Sequence, residues 1–235
     1  FVLFDESCLE NRCRMTMSLT PAQIKLLQDL ETNIDEGLSR DDAAKRRHSP
    51  SDANDSSTGT SKVSYNVIDP PINCPAWICC LLPCIKMIPS MKKFKEIQPE
   101  DAEVLRDSKW VRYDAASLVR GDIIQIMEGD IVPADCILLK LLEDEILVDM
   151  RTLTGEDTVR SISEIPDNTL PRLFLGGRVL QGSAMAVVVA IGSKTLLASL
   201  IQQKNFPPKH VFVLPGGTID TEMETPLVTR TKLTV

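Results

Sequence analysis

The stretch Leu118-Val119-Arg120-Gly121-Asp122-Ile123-Ile124-Gln125-Ile126-Met127-Glu128-Gly129-Asp130-Ile131-Val132-Pro133-Ala134-Asp135 decides the fold. Apolar residues recur at a spacing of two on either side of two Gly-Asp pairs, the pattern of short strands broken by turns. Glycine accepts left-handed backbone angles and aspartate bonds its own backbone, so Gly121-Asp122 and Gly129-Asp130 read as turns. Pro133 reads as fixing the exit from a strand. Upstream, residues 104–113 (VLRDSKWVRY) alternate in the same way. Downstream, 137–142, 145–148, 173–175, 178–180 and 184–191 are further strand candidates, and 194–203 reads as a short helix. Short strands with regular turns predict a mainly β domain with flanking helices (α+β), a sandwich or distorted jelly roll, over residues 99–203.

The remaining sequence divides by composition. Residues 1–48 read as an N-terminal helical segment: Thr20 can cap, Pro21 suits the first helical position, and Ile24, Leu27 and Leu30 form an apolar stripe. Gly37 interrupts it, and Ser39-Arg40-Asp41-Asp42 opens a second short helix. The polar run that follows predicts a flexible linker over 49–69. Residues 70–98 form an apolar segment rich in Cys and Pro, and 204–235 a loosely ordered tail.

Bulk properties exclude some functions. With 235 residues, 43% of them hydrophobic, the chain can bury one ordinary domain with residues to spare. A net charge of -7 and 4% aromatics suit neither phosphate neutralisation nor base stacking, so no nucleic-acid partner is expected. No run approaches the roughly 20 apolar residues of a membrane-crossing helix. The first residue is Phe1, which leaves open a start at Met15 or Met17, or a fragment of something longer.

In order, the sequence carries Leu118 to Ile124, Gly129 to Asp135, Val148-Asp149, Leu153-Thr154-Gly155-Glu156, then Gly176, Gly182 and the turn Ile191-Gly192-Ser193-Lys194-Thr195. This series resembles the actuator (A) domain of P-type cation-transporting ATPases, with its LVPGDIV, GDxIPAD, VD, LTGES and TGxxT blocks. The resemblance covers about two-fifths of the chain. It implies that Gly121, Asp122, Gly129, Asp130, Pro133 and Asp135 build the fold. It further implies that Glu156, on a loop with Thr154 and Gly155, positions water against an aspartyl phosphate as general base. The segment EGLSRDDAAKRR resembles the short helical region ahead of the first membrane helix in such pumps, with a generic surface helix pair as the alternative.

Four departures stand beside this. Asp157 replaces the usual Ser after the Glu, Arg151 stands where a small residue is usual, Arg120 replaces Pro, and Ala198 replaces Gly. A second carboxylate beside a phosphoryl group adds repulsion. The 235 residues contain no DKTGT-like phosphorylation sequence, nucleotide-binding segment or Gly-Asp-Gly-rich hinge. The reading is a non-catalytic regulator or partner of a cation pump. The alternatives are a fragment of a full pump, in which Glu156 assists dephosphorylation, and an acylated membrane-surface scaffold. No metal and no cofactor are expected in this chain, with ATP and Mg entering only as part of a full pump. The expected partners are a P-type ATPase or its phosphorylation domain and a membrane surface, on the cytoplasmic face.

Cys74, Cys79, Cys80 and Cys84 fall within eleven residues, beside Trp77 and Leu81 and followed by lysines. Three readings stay open: S-acylation, a metal site, and an apolar plug packed on the β-domain.

Overall fold

The computed structural model describes residues 19–48, 64–72, 88–155, 158–165 and 170–208. Among these described residues, nine strands form two antiparallel sheets. In chain order they are β1 (Asp101–Arg106), β2 (Lys109–Asp114), β3 (Ile123–Ile126), β4 (Asp135–Leu141), β5 (Ile146–Asp149), β6 (Arg160–Ile162), β7 (Arg172–Leu173), β8 (Arg178–Gln181) and β9 (Ala184–Ala190). The larger sheet runs β2-β1-β3-β9-β4-β7 and the smaller β6-β5-β8. The helices are α1 (Pro21–Asp29), α2 (Arg40–Arg47), α3 (Pro89–Glu96), the single turn α4 (Arg151–Thr154) and α5 (Leu196–Gln202). This is the mainly β, jelly-roll-like architecture with flanking helices that the turn spacing predicts.

One core draws on both sheets, with Val104, Ile124, Leu138, Val148, Val179 and Val188 among its members. The second face of the large sheet is also covered. Leu27 and Leu30 of the N-terminal segment pack on Ile137, Leu139 and Val187, and Leu105, Ile123 and Met185 meet Ile34 and Trp110. Burial on both faces is why β4 and β9 are continuous apolar runs rather than alternating ones.

Thr20 and Gln23 close a capping box at the start of α1. The Gln23 side chain then donates to the carbonyls of Leu138 and Leu139 at 3.2 and 3.0 Å. The buried stripe of α1 is therefore Gln23, Leu27 and Leu30. Ile24, assigned to it from spacing, is 44% exposed. A buried amide with both its protons placed on sheet carbonyls outcompetes a second apolar contact.

The boundaries also shift. Phe94 and Ile97 of the expected Cys/Pro-rich segment and Phe206 of the expected tail belong to the main core. Phe94 and Phe206 meet edge-on at 6.5 Å. The linker expected over 49–69 does not extend to its C-terminal end. Asn66 is buried and its amide donates to Ala115 and Pro133 carbonyls at 3.0 and 2.8 Å. Three elements have no counterpart in the sequence reading: the helix α3 within the expected Cys/Pro-rich segment, β6, whose three residues are flanked by polar ones, and the turn α4.

Gly37 joins the N-terminal segment to the β1–β2 hairpin, and its neighbour Leu38 forms a parallel bridge with Arg106. Its φ is +69°, and a Cβ there would lie 2.0 Å from the Leu105 carbonyl oxygen. We expect Gly37→Ala to lose about 2 kcal/mol or more, because strain and backbone overlap add. Urea denaturation checks this, and an unchanged midpoint would contradict the close approach.

Candidate functional site

The site begins where β5 ends. Met150 and Leu153 are buried in the main core, so α4 is pinned from below. The Thr154 hydroxyl donates to the Met150 carbonyl at 3.0 Å, and Thr154 is 1% exposed. Gly155 closes the turn in the left-handed region at φ 69°, its N–H reaching the Arg151 carbonyl at 2.9 Å. Thr154 is thus an anchor inside the fold rather than part of the loop on which the sequence reading placed it with Glu156. Its methyl and hydroxyl can both be satisfied in the core, and only after Gly155 does the chain leave the turn. Glu156 and Asp157 lie outside the described residues.

Asp149 and Arg151 brace the turn. Asp149 Oδ1 accepts from the Arg151 backbone N–H at 3.0 Å and from its Nε at 2.9 Å, and Oδ2 accepts from Nη2 at 2.7 Å. The guanidinium bond holds the Asp149 carboxyl below its ordinary range, against partial burial. The Asp of Val148-Asp149 therefore orients the first residue of the turn that carries Thr154 and Gly155.

The other motif residues are placed as supports. Gly121 and Gly129 sit at φ 93° and 91°. Asp122 is fully buried, bound in a two-point ion pair by Arg106 at 3.0 and 2.6 Å, and accepts the Val119 N–H at 2.8 Å. Asp130 accepts the Met127 N–H at 2.9 Å, while its backbone pairs with Val179 of the other sheet. Pro133 precedes β4 rather than closing a strand, and its carbonyl receives Asn66. Asp135 accepts from Leu175 N–H at 2.9 Å and Leu196 N–H at 2.7 Å, so it ties β4 to a turn and to the start of α5. Burial pushes its pKa up to about 7, against the two backbone bonds and the charge of Arg172.

Arg106 and Asn66 are structural residues that pattern reading passes over. Arg106 ends β1, and its burial against Asp122, Ser117 and Tyr113, rather than any sequence pattern, distinguishes it from a surface arginine. Asn66 is 49 residues from one partner in sequence and 126 from another. Cys74, Cys79, Cys80 and Cys84 lie outside the described residues. Among those described, no group of three or more His, Cys, Asp or Glu could hold a metal ion. No helix among them is long and apolar enough to cross a membrane.

Residues 96–205 match the family model of the P-type ATPase actuator domain. The endoplasmic reticulum calcium ATPase srcA of Aspergillus fumigatus is 39% identical over 114 residues, 45% of this chain and 12% of the relative. A calcium-transporting ATPase of Plasmodium falciparum is 34% identical over 116 residues, 45% of this chain and 9% of the relative. The matched part of the chain thus spans about a tenth of the length of these curated relatives. A solved zinc-transporting PIB-type ATPase in its E2.Pi state superposes with a TM-score of 0.39 at 22% identity, over 47% of this chain and 17% of that one. The two-sheet fold, the ordered motif blocks and the family match together identify residues 96–205 as an actuator domain of the P-type ATPases.

Proposed function

We propose that this domain serves as the actuator of a cation-transporting P-type ATPase, with Glu156 assisting hydrolysis of an aspartyl phosphate carried on another part of the pump. The observation that carries this reading is the anchored turn Leu153–Gly155, braced by Asp149 and Arg151 and continued in sequence by the glutamate. A carboxylate there would take a proton from the attacking water, and glycine before it lets the backbone come close to the phosphoryl group. The two calcium-pump relatives support a cation as cargo. ATP and Mg2+ would bind elsewhere in such a pump, and the domain would lie on the cytoplasmic face of the membrane. The test is a calcium pump whose own actuator segment is replaced by residues 96–205, compared with its Glu156→Gln variant. Labelled phosphoenzyme is expected to decay about 100-fold more slowly in the variant, the size of a general-base contribution. Equal decay rates would remove Glu156 from the chemistry.

Asp157 and Arg151, both departures from the family pattern, favour a second reading: a regulator acting on a pump in trans. The 235-residue chain added to a pump would then change phosphoenzyme lifetime without itself taking label from ATP. Incorporation of labelled phosphate into the chain alone would refute that reading. In either case we propose membrane-surface attachment through acylated Cys74, Cys79, Cys80 and Cys84. Hydroxylamine release of the chain from membranes, absent when all four are Ser, is the check.

A further inference from the structure

Asp149 and Arg178 are direct partners in the β5–β8 ladder, so their side chains stand on the same face of the small sheet. The neighbouring pair, Val148 and Val179, points into the core and is buried. Around Asp149 this face therefore gathers the guanidinium of Arg178 from the sheet and that of Arg151 from the turn, while a second carboxylate, Glu145, accepts from Ser161 ahead of β5. Asp149 is committed to Arg151 through Nε and Nη2, which leaves Nη1 unpaired among the described residues and the Arg151 side chain 50% exposed. Arg178 is exposed, its backbone pairs with Asp149 and Ile131, and the charge of its guanidinium helps hold the Asp149 carboxyl below its ordinary range. Asp130, whose carbonyl receives the Val179 N–H, has its carboxylate turned to the Met127 N–H. Two fork-shaped donors share one acid, beside the turn that ends at Gly155.

We propose that Arg151 and Arg178 together bind phosphate oxygens, and that their ligand is the acyl phosphate the Glu156 loop meets. This rests on the function proposed above. The sequence supplies the reason for it. In sequence, Glu156 and Asp157 put two negative charges directly after Gly155, where the family pattern has one. A phosphoryl group approaches such a loop only if cations offset the repulsion. Guanidinium suits the task because its planar fork matches phosphate oxygens. Asp149 prearranges Arg151, so little side-chain freedom is lost on binding.

The experiment uses the 235-residue chain, labelled for NMR and titrated at constant ionic strength with acetyl phosphate, inorganic phosphate and ADP. Saturable shifts are expected for the Gly155 and Arg178 amides and for both arginine Nε groups, with acetyl phosphate and inorganic phosphate alike. Arg151→Gln combined with Arg178→Gln should weaken binding at least about tenfold, the scale of one lost charge-assisted bond. Both residues are exposed, so the remaining resonances should keep their positions. Three results would overturn the proposal. These are no saturable shift up to about 50 mM phosphate, a range that detects even millimolar affinity, equal shifts in the double variant, and ADP binding more than tenfold tighter than acetyl phosphate. Glu156→Gln should retain or tighten phosphate binding, because it removes a like charge. Binding that persists while Glu156→Gln leaves phosphoenzyme decay unchanged sinks the general-base role and keeps the arginine pair. Slow decay without phosphate binding does the reverse.

Discussion

Arg106→Ala is expected to cost about 3–5 kcal/mol, because it strands the Asp122 carboxylate in the core without its cation. Asp122 is 0% exposed and Arg106 4%, so water cannot replace the lost guanidinium. Native domains are stable by only about 5–15 kcal/mol, so this one change brings the fold near its limit. The loss should spread beyond the pair. Arg106 also donates to the Ser117 carbonyl at 3.3 Å and lies over the Tyr113 ring at 4.7 Å. Together these contacts join β1, β2 and the Gly121-Asp122 turn. The control is Arg106→Met with Asp122→Leu. Removing both charges leaves only the Val119 N–H without its acceptor, a penalty of about 1–3 kcal/mol. Chemical denaturation should therefore rank the double variant above the single one. The opposite ranking would mean that the pair is not desolvated as the geometry requires.

Asp135→Ala is expected to cost about 2–6 kcal/mol, since the N–H groups of Leu175 and Leu196 each lose their acceptor at about 1–3 kcal/mol. The variant also removes a tie at the start of α5, whose N-cap is Thr195. The wild type should show a signature of this carboxyl in its pH profile. Its folded pKa lies near 7, above the ordinary 3.8, so the folded state holds the proton more tightly than the unfolded chain does. The sign follows from linkage: the contribution is fully present below about pH 4 and is lost as pH rises to about 7. Asp149 works in the opposite sense. Its lowered pKa gives stability that fades as pH falls below the ordinary carboxylate range. Asp135→Asn keeps the size and removes the titration. The urea midpoint of wild type should therefore fall relative to that of Asp135→Asn as pH rises from 4 to 7. A constant gap would show that Asp135 stays ionised throughout.

Much of the domain was legible because its strands are short and its turns carry Gly-Asp pairs. Gly121-Asp122 and Gly129-Asp130 need their residue types for local backbone reasons, and local reasons survive without coordinates. The caps Thr20 and Ser39 are legible for the same cause. Ile24 misled because spacing counts apolar residues and cannot see two sheet carbonyls waiting for the Gln23 amide. Thr154 misled because a motif block names residues in a row and does not say which of them enters the core.

Sequence alone determined the mainly β class, the order of the motif blocks and the resemblance to a P-type ATPase actuator, since each rests on residues near one another in the chain. Only the tertiary structure decided what the acidic motif residues do. Asp122 meets Arg106 across 16 residues, and Asp135 meets Leu175 and Leu196 across 40 and 61. Only the ladder of β5 and β8 set Arg178 beside Asp149 and Arg151. Burial and charge pairing are properties of neighbours in space, and strand pairing brings those neighbours together from segments whose separation leaves no local pattern.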